Sequence, residues 1–516
     1  MRTTLAMLSL FISTVAAQEP AFVRNVDPYV ARVMQTFEVP GIALAIVKDG
    51  RVIVAKGYGV RTVGQSAPVD ARTIFCIASN TKAFTATAIG LLVEEGKLQW
   101  DAPVTRYLPS FALSDPYVTH EITLRDLLVH RSGLGLGAGD LLWWPGATYT
   151  RKEIVQRLRF IPLATSFRST YAYDNVLYLV AGEVIEAVSG MPWEDFIRTR
   201  ILDPVGMTHT TLVNQYLSTE DRATTHASVD GHVRIVSPDT GTAMNPAGGI
   251  YACAEYMAKW MITQLDSGQT PAGKRLFSPR TTKQLWSMVT PIPIGNPAPG
   301  LEAVQPDFVG YALGFSVRDY RGYKMVSHTG GMPGFVSRVT MIPELGLGIT
   351  VLTNQESGAA FNTLTNAILD AYMPGPRIDW LAVSTALNAR SDSLNRAAVS
   401  SAAAARDSLS HPSLPLAKYA GTYRDAWYGD IRIAYADGRL SIAFSRTPLL
   451  SGELQHWQYD TFIARWKDRE LRADAYVTFA LNPDGSVDRI RMQAASPETD
   501  FSFDFQDLLL KPVAAP

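Results

Sequence analysis

Two cysteines in 516 residues, Cys76 and Cys253, are too few for a disulfide-built scaffold or for a zinc site of four thiolates. Surplus charge of either sign is also missing: 47 Lys and Arg stand against 48 Asp and Glu, a formal net charge of −1. Without a basic excess there is no counterion-releasing surface for non-specific nucleic-acid binding. The 8 histidines (His120, His130, His209, His226, His232, His328, His411 and His456) fall at no metal-ligand spacing, so neither metal nor cofactor is expected. A G-x-S-x-G elbow is lacking, which argues against an ordinary α/β-hydrolase. Beyond the N-terminus no apolar run reaches the ~20 residues that a membrane helix needs. Tandem repeats are absent. With 47% hydrophobic and 18% charged residues the chain is globular rather than disordered, and it can bury a large core. At ~100–200 residues per domain its length predicts two or three domains.

The N-terminus carries Met1-Arg2, an apolar stretch over 5–15 and the small residues Val15-Ala16-Ala17. This pattern predicts a secretory leader, 1–17, cleaved after Ala17; the alternative is a buried N-terminal helix. The mature protein is expected to be soluble and secreted or periplasmic. In such an oxidising compartment Cys76 and Cys253 either pair or remain buried free thiols.

Apolar runs at 41–47 and 51–55 flank Asp49-Gly50, a strong hairpin signal. Residues 79–240 are mostly helical in pattern. Strand character returns at 311–317, 324–327, 337–341 and 348–352, followed by a helix over 361–371. Strands that bracket a helical region predict one α+β catalytic body over 18–375, its antiparallel sheet built from both ends of the segment. Residues 376–415, rich in Ala, Ser and Arg, read as a linker or bridging helix. From 416 to 516 the texture alternates. Ile431, Ile433 and Tyr435 precede Asp437-Gly438, Leu440, Ile442 and Phe444 follow it, and Phe501, Phe503 and Phe505 form a further period-two run. This predicts a small antiparallel β-barrel or sandwich.

The run Ser79-Asn80-Thr81-Lys82 opens a helical pattern that Gly96 ends. At i and i+3 on a helix, Ser79 and Lys82 share a face. A serine hydroxyl attacks only when something takes its proton, and a lysine in an apolar site loses its own proton readily. A helix N-terminus also offers free N–H groups to an oxyanion. The plainer alternative is a helix cap followed by a surface lysine. Tyr173-Asp174-Asn175, just before a helix that ends at Gly190, supplies a phenol for proton transfer and an amide for a substrate carbonyl. The alternative there is a core tyrosine and a helix cap. His328-Thr329-Gly330-Gly331 follows a strand, and its small residues let a strand edge approach a ligand; otherwise it is a glycine-rich turn. Gly133-Leu134-Gly135-Leu136-Gly137-Ala138 fits a degenerate dinucleotide fingerprint without the strand that should precede it. It reads better as a flexible loop on the rim, with Trp143 and Trp144 as apolar wall or packing. His130-Arg131 reads as fold support.

Taken together, Ser79-x-x-Lys82, Tyr173-Asp174-Asn175 and His328-Thr329-Gly330 resemble the motif set of the serine β-lactamase and penicillin-binding-protein superfamily, in its class C-like branch. Residues 122–134, 204–207, 245–249 and 351–354 add to the likeness, which runs over roughly 25–375. Residues 416–516, with Tyr419 to Tyr423 and Leu454 to Trp457, resemble the lipocalin-like domain appended to some members. The resemblance implies Ser79 as acylated nucleophile, with Lys82 and Tyr173 sharing the acid and base roles. It implies Asn175 as orienter of the substrate amide and the amides of Ser79 and Gly331 as oxyanion hole. His328 stands where the family's K-T-G motif has lysine. A histidine is mostly neutral near pH 7, so a fixed positive charge for a β-lactam carboxylate is missing. That departure is more like peptidases and some esterases. The expected activity is therefore an exported serine peptidase or amidohydrolase on small linear peptides, with linearised microcystin as one narrower implication. The alternatives are a carboxylesterase with promiscuous β-lactam hydrolysis and a low-turnover penicillin-binding protein. The expected partner is a small peptide or ester substrate, with no nucleic acid and no membrane span.

Overall fold

In the computed structural model, residues 18–513 are described, and the leader expected at 1–17 lies outside the described residues. Asp49 and Gly50 take positive φ, 49° and 74°, which is the twist a two-residue hairpin requires. They join β1 (Gly41–Lys48) to β2 (Arg51–Gly59). Alternation along β1 divides its side chains between two layers. Ile42, Leu44 and Ile46 pack on one face of the sheet, and Ala43, Ala45 and Val47 on the other. A strand buried on both faces belongs in the middle of a sheet. The remaining strands are β3 (Thr290–Pro291), β4 (Val309–Tyr311), β5 (Ser316–Tyr320), β6 (Tyr323–Met332), β7 (Phe335–Ile342) and β8 (Leu347–Thr353). They form one antiparallel sheet in the order β2-β1-β8-β7-β6-β5-β4-β3. β1 pairs with β8 from Ile42–Thr353 to Lys48–Leu347, so the two ends of the segment meet inside the sheet.

Helices α1 (Asp27–Thr36), α5 (Gly358–Tyr372) and the first turns of α6 (Trp380–Ala404) cover the Ile42 face. The Ala43 face packs against α2 (Thr81–Glu94), α3 (Val176–Ser189) and α4 (Ala254–Leu265), which hold the larger core. Cys76 and Cys253 sit in that core as free thiols, so no disulfide forms. Among the described residues no single helix is long and apolar enough to cross a membrane.

The C-terminal strands are β9 (Gly421–Asp425), β10 (Gly429–Ala436), β11 (Arg439–Phe444), β12 (Ser451–Gln458), β13 (Thr461–Trp466), β14 (Ala475–Leu481), β15 (Val487–Ala494) and β16 (Lys511–Pro512). Their order is β15-β14-β13-β12-β11-β10-β9-β16. Ile490 and Leu510 exchange backbone bonds of 2.8 and 3.1 Å beside β16, which nearly closes the sheet into a barrel. The α+β body with an added antiparallel barrel agrees with the expected fold class.

Three local expectations change. The strand expected over 311–317 breaks at Gly314, φ 79°, where a Cβ would lie 2.8 Å from the Lys82 carbonyl oxygen. That turn lets the sheet press on α2. The helical region contains a β-hairpin, His226–Val229 with His232–Ile235. The Phe501, Phe503, Phe505 run is not a strand but a looped segment ending in a short 3₁₀ turn, Phe505–Asp507. Its Phe503 and Phe505 bury in the core while Asp504 turns toward the catalytic body.

Candidate active site

The Ser79 turn is held from below. Ser79 lies in a 3₁₀ turn, Ala78–Asn80, and the α-helix proper starts two residues later than the spacing suggested, at Thr81. Ala78 takes φ 44°, a strained value for an L-residue, immediately before the serine. Ser337 on β7 donates to the Ile77 carbonyl at 2.7 Å, and Asn80 Nδ2 donates to Ser337 Oγ at 2.8 Å. Among the described residues no group accepts from the Ser79 amide. Gly330 explains how β6 reaches this turn. A Cβ there would lie 2.2 Å from the Ile77 carbonyl oxygen and 3.0 Å from Ala78 Cβ, so only glycine permits the approach. Gly331, one residue on, would meet nothing within 4 Å and opens to the cleft. Ser79, on the turn that Gly330 touches, is itself partly exposed.

Lys82 is fully buried. Its Nζ lies 3.1 Å from Ser79 Oγ, 2.7 Å from Asn175 Oδ1 and 3.0 Å from the Ala247 carbonyl oxygen. The rings of Tyr173 and Tyr178 stand 4.9 and 5.2 Å from the same nitrogen. Burial drives its pKa from the ordinary 10.5 down to about 7, against the pull of the Asp140 and Asp174 carboxyl groups. Two of the three partners can only accept. A neutral amine thus spends both hydrogens on Asn175 and Ala247, which leaves its lone pair for the Ser79 hydroxyl.

The Ser79 side chain pulls the pKa of the Tyr173 phenol down, but burial outweighs it and holds the phenol far above the ordinary value, so it stays protonated at neutral pH. Asn175 sits at the N-terminus of α3 but does not cap it. Its Oδ1 accepts from Lys82 and its Nδ2 donates to Asp140 Oδ2 at 2.8 Å, so it orients the lysine and keeps a second Nδ2 hydrogen. His328, on β6, is 7% exposed and has both ring nitrogens engaged: Nε2 with the Tyr311 hydroxyl at 2.7 Å, Nδ1 with the Thr329 carbonyl. Burial and the nearby Lys82 push its pKa down to about 3, which keeps it neutral. It packs behind the cleft, where Tyr173 lies 6.3 Å away ring to ring.

Residues that the motifs did not point to complete the site. Asp140 Oδ2 takes Asn175 Nδ2 and, at 2.9 Å, the Ser502 hydroxyl of the C-terminal domain, while Oδ1 takes Trp143 Nε1 at 2.8 Å. Burial raises its pKa to about 7, with those hydrogen bonds and Lys82 opposing. Asp504 accepts from the Gly139 and Leu141 amides at 2.6 and 3.1 Å, and Phe501 stands edge-on to Tyr173 at 5.9 Å. The glycine-rich loop expected to be flexible is therefore pinned by the barrel. Trp143 packs beside it at 5% exposure, and Trp144 stands edge-on to Phe503. His130, with φ 56°, accepts from the Asp174 amide at 3.1 Å and underlies Tyr173, 4.3 Å ring to ring. Arg131 and Arg168 clamp the fully buried Asp126, as fold support. Among the described residues no group of three His, Cys, Asp or Glu is arranged to hold a metal ion.

A protein-family model described as Beta-lactamase matches residues 26–372, and a domain of unknown function (DUF3471) matches 405–512. The chain is 29% identical over 492 residues to unguisins hydrolase ungD of Aspergillus violaceofuscus, covering 88% of this chain and 84% of that one. The octameric penicillin-binding protein homologue from Pyrococcus abyssi superposes with a TM-score of 0.59 at 21% identity, over 95% of this chain and 100% of that one. The D-amino acid amidase from Ochrobactrum anthropi SV3 superposes with a TM-score of 0.55 at 23% identity, over 68% and 98%. At such identities these two structures show a shared fold.

Proposed function

The chain belongs to the beta-lactamase family, and from that premise we propose that it is an exported serine hydrolase that cleaves amide bonds of small linear peptides through an acyl-enzyme on Ser79. The observation that carries this reading is the buried Lys82 Nζ, 3.1 Å from Ser79 Oγ and near neutrality in pKa. As Ser79 Oγ attacks the carbonyl carbon, its proton passes to the Lys82 lone pair. The carbonyl oxygen becomes an oxyanion held by the Ser79 and Gly331 N–H groups. The Tyr173 phenol protonates the leaving nitrogen, the C–N bond breaks, and the acyl ester remains on Ser79. Lys82 returns its proton to Tyr173. Water then attacks the ester, loses a proton to the same pair, and the carboxylic acid departs as Ser79 recovers its hydrogen.

Open-chain amides are favoured over β-lactams on three grounds. His328 is neutral where a lysine would fix a carboxylate. The relative that aligns over most of the chain is a hydrolase named for unguisins, and an amide-cleaving amidase shares the fold. The barrel's Phe501 crowds the Tyr173 side of the cleft. Linearised microcystin, the narrower implication of the family resemblance, has no counterpart among the relatives named above. Export rests on the 1–17 pattern, and N-terminal sequencing of the secreted chain should begin at Gln18.

The test is a panel of D- and L-aminoacyl p-nitroanilides, linear peptides, short-chain p-nitrophenyl esters and a cephalosporin, run with wild type and Ser79→Ala. Anilide and peptide turnover that Ser79→Ala abolishes is the expected result. Turnover of esters alone would overturn the amide assignment, and turnover retained in Ser79→Ala would overturn the nucleophile. A penicillin label that stays bound, without turnover of anything else, would make the chain a penicillin-binding protein.

A further inference from the structure

Ser337 and Arg338 are neighbours on β7, so their side chains leave opposite faces of the sheet. Ser337 serves the Ser79 turn. Arg338 enters a cleft of about 720 Å³ on the far face, bounded by β5, β7 and the helices α5 and α6. Arg318, on β5, lines the same cleft. Neither guanidinium meets a carboxylate among its hydrogen-bond partners. Arg318 donates to the backbone carbonyls of Asp319 and Val304, at 3.2 and 2.7 Å. Arg338 donates to Thr340 Oγ1 at 3.1 Å and to Asn362 Oδ1. Each uses two of its five N–H groups.

None of the nearby carboxylates pairs with either guanidinium, although Glu356 and Asp392 line the same cleft. Asp319 holds the amides of Asp307 and Phe308 at 2.7 and 3.0 Å. Glu356 holds the Gly334 amide and Arg472. Asp370 pairs with Arg321 at 2.9 Å, and Asp392 stands exposed at the outer rim. Burial lowers the pKa of both arginines, Arg338 to about 10 with Arg318 adding repulsion, so both remain cations at neutral pH. Neither guanidinium has an ion-pair partner, and although the Asp319 charge offsets part of the burial cost of Arg318, keeping both cations in the cleft is costly. The N-terminus of the 15-residue α5 opens on the same space, since Ser357, Gly358 and Ala359 line it. Asn362 and Asn366 add neutral amides, and Met325 and Trp380 an apolar wall.

We infer that this cleft is a second ligand site, separate from Ser79, that takes a small organic molecule bearing a carboxylate or phosphate. The oxyanion lies between the guanidinium groups of Arg318 and Arg338, with the rest of the ligand against the α5 asparagines. Planar guanidinium forks suit both anions, and the site does not depend on the assignment of the hydrolytic activity.

The test is calorimetric titration of the full chain with three probes: inorganic phosphate, N-acetyl-alanyl-alanine, and the C-terminal amide of that dipeptide. Saturable binding of phosphate or of the peptide acid is expected, with the amide weaker by ~10-fold or more. Arg318→Gln and Arg338→Gln should each weaken binding by ~10–100-fold, the range for losing a charge-assisted bond. In a Ser79→Ala background, which cannot hydrolyse the peptide, binding should match that of the wild-type chain and should still fall with either arginine substitution, which places it in this cleft. Arg318→Gln, which gives up only bonds to backbone carbonyls, should retain Ser79-dependent hydrolysis and so report an intact fold. Tighter binding of the peptide acid identifies a carboxylate ligand, and tighter binding of phosphate a phosphate ligand. The absence of binding by all three probes would overturn the inference. So would affinities that neither arginine substitution changes, or that Ser79→Ala abolishes.

Discussion

Asp140→Asn should move the acid limb of the pH–rate profile to lower pH. Asp140 reaches Lys82 through the Asn175 amide, by bonds of 2.8 and 2.7 Å. Its negative charge favours the Lys82 ammonium, and it is among the groups that oppose the effect of burial. Across roughly 7 Å at an effective dielectric of about 20, a unit charge is worth ~2 kcal/mol. At ~1.4 kcal/mol per pKa unit this sets an upper bound near ~1.5 units. Asp140 itself titrates at about 7, so near that pH it is ionised about half the time and the shift should be about half the bound. The sign follows from the active form: neutral Lys82 is the base, so activity rises with pH through about 7 in wild type. In the variant the neutral amine persists to lower pH. The plateau should fall as well, because a weaker base accepts the Ser79 proton less readily. The substituted side chain must also turn its amide nitrogen toward one of three donors, which costs about 1–3 kcal/mol. The assay is kcat/KM between pH 5 and 9 on a chromogenic ester or anilide, with thermal melts to confirm folding. An acid limb that stays at its wild-type position, or moves up, would refute Lys82 as the titrating base.

Gly330→Ala should cost about 1–3 kcal/mol and most of the activity, because its methyl group would collide with the Ile77 carbonyl. Gly331→Ala, where a methyl group meets nothing, should leave stability within ~0.5 kcal/mol in urea denaturation. Tyr173→Phe should lower kcat ~10²–10⁴-fold with little change in KM, as read from steady-state kinetics. Asp126→Asn should destabilise the fold at pH 7 by about 1–3 kcal/mol, because the partly solvated Arg131 and Arg168 lose a buried counter-charge and its charge-assisted hydrogen bonds. Asp126 has a depressed folded pKa, so its stabilisation is complete above the unfolded value near ~4 and fades as pH falls through the folded one. Urea melts of wild type and variant should therefore draw together as pH falls below about 4.

What the sequence made legible were features written in short range. Ser79 and Lys82 share a helical face because they are three apart, and Asp49-Gly50 closes its hairpin through local backbone preference. The alternation along Ile431, Ile433, Leu440, Ile442 and Phe444 records one buried barrel face. The illegible parts depend on contacts across hundreds of residues. Asp140 meets Ser502 and Asp504 meets the Gly139 amide at separations of 362 and 365 positions, and neither pair has a spacing to recognise. The period of Phe501, Phe503 and Phe505 reads as a strand because apolar residues alternate with the polar Ser502 and Asp504, yet those two are buried as well and Phe501 is exposed. Those two residues alternate for another reason, which is to hold the loop over the site. Asn175 and His328 occupy their motif positions, yet which way each ring or amide points was set by Lys82, Asp140 and Tyr311. The two arginines on the far face lie on separate strands, 20 residues apart, and carry no motif.

The most direct measurement of the central claim is peptide mapping by mass spectrometry of the covalent adduct trapped with a fluorophosphonate or a penicillin. One adduct per chain, on the peptide that contains Ser79 and absent from Ser79→Ala, is the predicted result. A stoichiometric adduct on another residue, or one that survives Ser79→Ala, would contradict the account.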